Sequence, residues 1–348
     1  MRRRTFLSIG AAATATSFAG CSSGGSSDSG TNADTATDAD TATDGSPTDA
    51  DTASPTDEPI EVESTVETAV GGLVRGRNLR LVVESIDRAD SFDGTQPGEV
   101  NEFLTLRFAV ANASDSPRYA FHTHSPRLVD GTGETYDSKF GGIENRPLAA
   151  VLVPGEVERA RQIYEVPTDA TLTARFDLDP DHFGGVETAE VALDSTTDGP
   201  TLRQEFDRSH PEIGERVRSG GYGLAATVDS VEFSRTAFDR QAGEGNEFVL
   251  VDATLVNERD ETIEVLGTRW GIKFADGRSR HSPRQSFYEN DRRLTATMSL
   301  EPGEHAYTFA YEVPSDASPL YFYFRFGPGS YLGASELPDP AKRVWKLR

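Results

Sequence analysis

The chain reads as an all-β protein, two tandem antiparallel β-sandwiches that follow a disordered acidic stalk. Three observations lead there: an internal duplication, period-two alternation of apolar residues, and turn signals at short spacing.

The duplication is direct. Glu84-Ser85-Ile86 matches Asp229-Ser230-Val231, and Asn101-Glu102-Phe103-Leu104 matches Asn246-Glu247-Phe248-Val249, both displaced by 145 residues. Asn112 matches Asn257 at the same displacement. Further on, Asp130-Gly131 matches Asp276-Gly277, Pro154-Gly155-Glu156 matches Pro302-Gly303-Glu304, and Tyr164-Glu165-Val166-Pro167 matches Tyr311-Glu312-Val313-Pro314. Two units are too few for a solenoid, so each copy must close its own core.

Each copy reads as strands. In Phe103-Leu104-Thr105-Leu106-Arg107-Phe108-Ala109-Val110 the second half alternates polar and apolar, as a half-buried strand does. Phe248 to Leu255 repeats it. An Asp-Gly turn and a Pro-Gly turn follow in both copies, and a strand then ends at Tyr-Glu-Val-Pro. Several short strands per copy, with little helical periodicity, imply two antiparallel sheets packed face to face.

The ends and joints follow from composition. Residues 1–20 form a signal segment, basic at Arg2-Arg3-Arg4 and then weakly apolar, too short to span a membrane. Arg3-Arg4-Thr5-Phe6-Leu7 resembles a twin-arginine export signal, carried by Arg3 and Arg4. Phe18-Ala19-Gly20-Cys21 resembles a lipobox, in which the chain is cut before Cys21 and its thiol is alkylated by lipid. Cys21 is the sole cysteine, so lipidation leaves no thiol for disulfides, soft metals or nucleophilic catalysis. Residues 21–66 form the stalk: between Cys21 and Arg75 there are twelve Asp or Glu and no Lys or Arg, so the segment self-repels and stays disordered. Residues 67–195 are the first sandwich, 196–212 a linker with one helical turn at Thr201 to Phe206, and 213–348 the second sandwich. The linker is long enough for the two halves to move independently.

The formal charge is -23, and of 34 basic residues only Lys139, Lys273, Lys342 and Lys346 are lysine. Such an acidic, lysine-poor chain resembles proteins of extreme halophiles, whose self-repulsion molar salt screens. The acidity argues against nucleic acid as a partner.

The repeated layout, Asn-Glu-Phe, a run closing on Val-Ala-Asn or Leu-Val-Asn, Asp-Gly, Pro-Gly-Glu and Glu-Val-Pro, resembles a family of extracellular lipoprotein domains of unknown function. Those domains are immunoglobulin-like and similar in fold to a secreted mycobacterial antigen. The resemblance covers about 70–193 and 213–337. It implies two tandem immunoglobulin-like sandwiches in the cell envelope, and it brings no catalytic residues.

Three candidate sites stand out. His122 and His124, two apart on a strand, share a face and could grip zinc or copper, with Asp130 or His182 as guessed further ligands. A blue-copper site is excluded, since it needs a thiolate. In Tyr321-Phe322-Tyr323-Phe324-Arg325-Phe326 the phenylalanines alternate toward the core. The opposite face, Tyr321, Tyr323 and Arg325 with Tyr331 nearby, is a candidate partner or glycan surface, or a cover for the other sandwich. Asn112-Ala113-Ser114 is an N-glycosylation sequon on an exported chain. No nucleophile elbow, His-Glu-x-x-His helix, phosphate loop or dinucleotide fingerprint occurs. The expectation is therefore a non-enzyme without cofactor, lipid-anchored through Cys21 on the outer face of the cytoplasmic membrane. It serves there as a binding or accessory module for an envelope protein or glycan. A metal-handling lipoprotein using His122 and His124, and a structural envelope component, are the alternatives.

Overall fold

The computed structural model describes residues 63–119, 126–139, 151–206, 210–219, 221–238, 240–266, 269–281, 287–289, 292–294, 297–326 and 342–348. All lie in the compact unit Glu58–Arg348. The unit is built almost wholly of strands; among the described residues the one α-helix is a single turn.

In the first copy the strands are β1 (Thr65–Val70), β2 (Leu73–Arg75), β3 (Leu79–Ala89), β4 (Asn101–Asn112), β5 (Arg118–Tyr119) and β6 (Arg127–Asp130). They continue as β7 (Thr135–Tyr136), β8 (Val151–Leu152), β9 (Val157–Pro167), β10 (Leu172–Asp177) and β11 (Thr188–Thr196). Helix α1 (Pro180–Phe183) interrupts the last two. Asp179 caps it by accepting from the Asp181 and His182 backbone N–H groups, Pro180 opens it, and Gly184 ends it at φ 89°. The second copy begins with β12 (Arg216–Ser219), β13 (Leu224–Ser234), β14 (Thr236–Ala237), β15 (Arg240–Gln241) and β16 (Asn246–Asn257). Then come β17 (Ile263–Leu266), β18 (Trp270–Phe274), β19 (Ser279–His281), β20 (Phe287–Glu289) and β21 (Arg292–Leu294). It closes with β22 (Thr297–Leu300), β23 (Gly303–Pro314), β24 (Leu320–Arg325) and β25 (Lys342–Lys346).

The duplication reappears as topology. Sheet β2-β3-β4-β9 of the first copy corresponds to β12-β13-β16-β23 of the second, which β20 and β21 extend. Likewise β7-β6-β10-β11 corresponds to β19-β18-β24-β25, and the short ladder β5-β8 to β17-β22. Even the irregularity is copied: the β3–β4 register slips between Val83 and Ser85, and the β13–β16 register between Val228 and Ser230, 145 residues on. The buried apolar side chains form two separate cores. One runs from Val70 to Leu193 and includes Leu104, Phe108, Tyr164 and Phe176. The other runs from Val217 to Trp345 and includes Trp270, Phe309, Phe322, Phe324 and Phe326. The aromatic content substitutes for the missing disulfide, each buried ring removing on the order of 150–250 Å² from water.

Several expectations are corrected. The first described strand starts at Thr65, within the span read as stalk, and Val66 and Val70 pack on the first core. The sheets are not purely antiparallel, since β1 runs parallel to β11. Thr201 to Phe206 forms no helical turn. Glu205 donates its backbone N–H to Gly155 O at 2.9 Å, and Leu202 O accepts from Arg159 Nη2 at 2.6 Å, so neighbours satisfy groups that a helical turn would have used. Leu202 and Glu205 of the linker are thus bonded to the first copy. Leu202 also explains why β4 does not alternate to its end: with Val82, Ala109 and Val157 it forms a small second core on the outer face of that sheet. Finally, the hairpin glycine at φ 83° in the second copy is Gly277, and its partner at φ 89° is Gly133, not Gly131. Gly133 and Gly277 donate to Asp130 O and Phe274 O in the same way.

Candidate functional site

The most specialised chemistry of the described residues lies where the two copies meet. Strand β9 is the edge of its sheet, and the β18–β19 hairpin covers that edge: Arg159 donates its backbone N–H to Gly277 O at 3.1 Å. The Arg159 guanidinium bonds Asp276 O and pairs with Glu84 at 2.9 Å. Gln204 Nε2 adds a bond to Phe274 O at 3.2 Å.

Beside this hairpin, four charged side chains are sealed from solvent. Lys273 Nζ lies 2.9 Å from Glu156 Oε1 and 2.5 Å from Glu158 Oε2. Lys342 Nζ lies 2.5 Å from the same Glu156 oxygen. Both lysines and Glu156 are fully buried, and Glu158 is 5 % exposed. The remaining valences are met: Val153 donates its N–H to Glu156 Oε2 at 2.9 Å, and Ser279 Oγ donates to Glu158 Oε2 at 2.8 Å. Lys342 Nζ also stands 4.5 Å over the Tyr323 ring. Two carboxylates and two ammonium groups balance, which is the condition for burying charge at all.

The electrostatics follow the geometry. Burial alone would raise the Glu156 pKa, but Lys273 and Lys342 outweigh it and hold the carboxyl at about 2. Burial would lower Lys273, yet Glu156 and Glu158 together raise it. Lys342 has only a share of Glu156, with Lys273 beside it, and burial wins, bringing its pKa down to about 8.

Glu156 has a sequence match in Glu304, but its three buried charged neighbours have none in the other copy. By strand register Glu158 corresponds to His305, Lys273 to Val129 and Lys342 to Thr188. The same register places Tyr321 and Tyr323 at Thr173 and Arg175. In the first copy that outer face is polar and partly exposed, with Arg127 and Asp177 paired at 2.6 Å and Arg175 and Glu190 at 3.5 Å. In the second copy it is turned onto the first.

The candidate surface of Tyr321, Tyr323 and Arg325 is therefore corrected. Their exposures are 9, 0 and 8 %, and Tyr321 and Tyr323 pack with Val344 against Val153 and Phe206. Phe206 meets the Tyr321 ring edge-on at 4.8 Å. The accessible sequon is corrected as well. Asn112 is 2 % exposed, and its Nδ2 donates to Ser116 O at 2.8 Å and Leu152 O at 2.9 Å, so a glycan there would break a buried bond. Asn257 does the same work in the second copy, donating to Glu261 O and Leu300 O. Asp130 shapes its own hairpin, accepting from Thr132, Glu134 and Tyr136. These bonds, from Thr132 and Tyr136 first, hold its pKa at about 2. His182 is buried within α1. Arg3, Arg4, Cys21, His122, His124 and Tyr331 lie outside the described residues. Among the described residues no group of three or more His, Cys, Asp or Glu could hold a metal ion. No described helix is long and apolar enough to cross a membrane.

The lysines were the signal that sequence reasoning passed over. Two of the chain's four lysines are fully buried in one cluster. Their rarity in a chain with thirty arginines was visible; their destination was not.

No family model and no curated protein matches the chain. Among solved structures it is similar over part of its length to several proteins. An uncharacterized β-sandwich protein from Clostridium difficile 630 is 18 % identical, with 41 % of this chain and 98 % of that one covered, at a TM-score of 0.27. The yjhA protein from Bacillus subtilis is 16 % identical, covering 40 % and 100 %, at 0.27. A candidate lipoprotein, ycdA, from the same species is 11 % identical, covering 40 % and 39 %, at 0.28.

Proposed function

We propose that this protein is a lipid-anchored, non-catalytic surface module that displays two joined β-sandwiches to an envelope partner. The export signal at Arg3 and Arg4 and the lipobox ending at Cys21 supply the address. The observation that supports the module reading is the junction. The side chains that distinguish one copy from the other, Glu158, Lys273, Tyr321, Tyr323 and Lys342, are committed to holding the pair together. Duplicating a domain and then fastening the copies enlarges one presented surface without new chemistry, and it fixes the spacing between binding faces. Tethering on a two-chain lipid keeps that surface at the membrane, since one chain anchors only marginally.

Crosslinking and capture from intact cells in native salt, comparing the native chain with Cys21→Ser, tests this. A defined partner recovered only with the anchored protein supports the reading, as does a lipid mass on Cys21. Release of the native chain into the medium with no lipid on Cys21 overturns the anchored reading.

A further inference from the structure

Among the described residues the second copy has no counterpart of β1. In the first, β1 adds in parallel to the edge of β11, with Glu67 opposite Glu190, and it buries Val70 to 7 % exposure. Val74 in β2 and Val217 in β12 hold equivalent register, a displacement of 143 residues. By that displacement His210, Pro211, Glu212 and Ile213 stand where Glu67, Thr68, Ala69 and Val70 do. They form no strand. Pro211 has no N–H to give to a ladder, and Ile213, in place of a buried valine, is 44 % exposed.

The edge of β25, the counterpart of β11, is therefore left without a strand among the described residues. His210 marks the place: its Nδ1 lies 2.9 Å from Val344 O, and Val344 corresponds by register to Glu190. Between β12 and β25 a cleft of about 620 Å³ opens, lined by Arg216, Val217, Arg218, Arg343, Val344 and His210 among others. Its lining carries Arg216, Arg218 and Arg343 against the one carboxylate of Glu215. Arg216 stands where the first has Leu73, and Arg343 where it has Ala189. Arg216 and Arg218 share Glu258 at 3.1 and 2.9 Å in exposed pairs, which a ligand carboxylate can exchange at little cost.

We propose that this cleft takes an extended peptide segment of a partner protein, added to β25 as β1 is added to β11. The segment carries β-branched side chains inward at alternate positions and carboxylates between them. The template is the molecule's own β1, Thr65-Val66-Glu67-Thr68-Ala69-Val70, whose Val66 and Val70 face the core. Strand addition supplies affinity through main-chain bonds and specificity through alternate pockets. The cationic rim selects the acidic member of that class. The inference rests on the binding-module reading and names the chemistry of its partner.

The test uses the full chain and a fluorescein-labelled peptide with the sequence of Ser64–Gly71, read by anisotropy, with light scattering for mass. Saturable one-to-one binding is expected, at least about tenfold tighter than to a scrambled peptide of the same composition. Pro211→Thr restores an N–H to the chain's own segment, lets it fill the cleft, and abolishes peptide binding. Arg343→Glu weakens binding about tenfold or more, and decides the matter if Pro211→Thr does not fold. Absence of saturable binding, equal affinity for the scrambled peptide, or a stable dimer that the peptide cannot dissociate overturns the proposal. Capture of a cell-surface partner by Pro211→Thr as well as by the native chain would remove the cleft while leaving the module reading intact.

Discussion

Lys342 Nζ and Glu156 Oε1 meet at 2.5 Å with both side chains fully withdrawn from water, one contributed by each copy of the duplicated fold. Lys273 claims the same oxygen at 2.9 Å. One carboxylate oxygen thus serves two ammonium groups. Removing one partner of a buried ion pair leaves the other charged and desolvated, which costs about 3–5 kcal/mol.

Glu156→Gln is therefore expected to destabilise the protein by about 3–5 kcal/mol in urea unfolding. Replacing both partners differs in kind. Lys273→Met combined with Glu158→Leu removes charge from both sides, and should recover most of the loss that Lys273→Met alone produces. A double variant no more stable than the worse single one would sink this account of the cluster.

Acid should act through the same carboxylate. Glu156 titrates at about 2 in the folded protein against an ordinary 4.5, so between those values the unfolded chain binds more protons. Its stabilisation is complete above about 4.5 and is lost as pH falls toward 2. The two lysines oppose one another at the alkaline end. Lys273 is raised, so its contribution is complete below its ordinary value and fades as pH climbs through the folded one. Lys342 is lowered to about 8 from 10.5, so its term makes stability rise between those values. Melting temperature should consequently fall on acidification, and Glu156→Gln should flatten that acid limb. A limb of unchanged steepness in the variant would assign acid sensitivity to other carboxylates.

Much of the architecture was legible because burial writes itself into sequence as period and repetition. The phenylalanines of Phe322, Phe324 and Phe326 alternate, and all three lie in the second core. The register slip and the paired asparagines sit at the displacement that the matched motifs give. The junction was hidden for a physical reason. An outer strand face looks the same in sequence whether water or another sheet covers it, so Tyr321 and Tyr323 read equally as a binding surface and as a cover. Lys273 and Lys342 look like ordinary surface charges until the opposing Glu156 and Glu158, more than a hundred residues away, are brought to them. Asn112 illustrates the converse. Its sequon is local and plain, but its two buried hydrogen bonds depend on Leu152, forty residues on.

The two asparagines make a matched pair for measurement. Asn112 and Asn257 each donate Nδ2 to two carbonyls and accept from a backbone N–H two residues on. Truncation to Ala strands those carbonyls, so Asn112→Ala and Asn257→Ala should each lose about 1–3 kcal/mol. The native chain from its own host should carry no glycan mass at Asn112.

Salt should separate the buried ionic contacts from the exposed ones. Arg127 and Asp177 are each about two-fifths exposed. Such a pair is worth about 0–1 kcal/mol, and molar salt screens it to nothing as the Debye length falls to about 3 Å. Arg127→Ala should thus matter slightly in dilute buffer and not at all in molar potassium chloride. Glu158→Gln should lose the same stability in both, because no ions enter the sealed cluster. Native stability itself should rise with salt, as the repulsion within a chain of formal charge -23 is screened. A Glu158→Gln deficit that vanishes in salt would mean that the cluster is open to solvent.

Gly133 and Gly277 give the most local test of the junction, because they share a conformation and differ only in surroundings. Both have φ near +85°, at 89° and 83°. A side chain at either costs roughly 1–2 kcal/mol in backbone strain. At Gly133 an added Cβ meets nothing within 4 Å. At Gly277 it would stand 2.9 Å from Val157 O and 3.0 Å from Arg159 Nη1, across the contact between the copies. Val157 O is backbone and cannot step aside, so Gly277→Ala must push the β18–β19 hairpin off β9. That movement also loosens Lys273 from Glu158. Gly277→Ala should therefore cost clearly more than Gly133→Ala, and hydrogen exchange at the Arg159 amide should speed up only in the Gly277 variant. Equal losses, with the Arg159 amide equally protected in both, would show that the hairpin does not bear on β9 in solution.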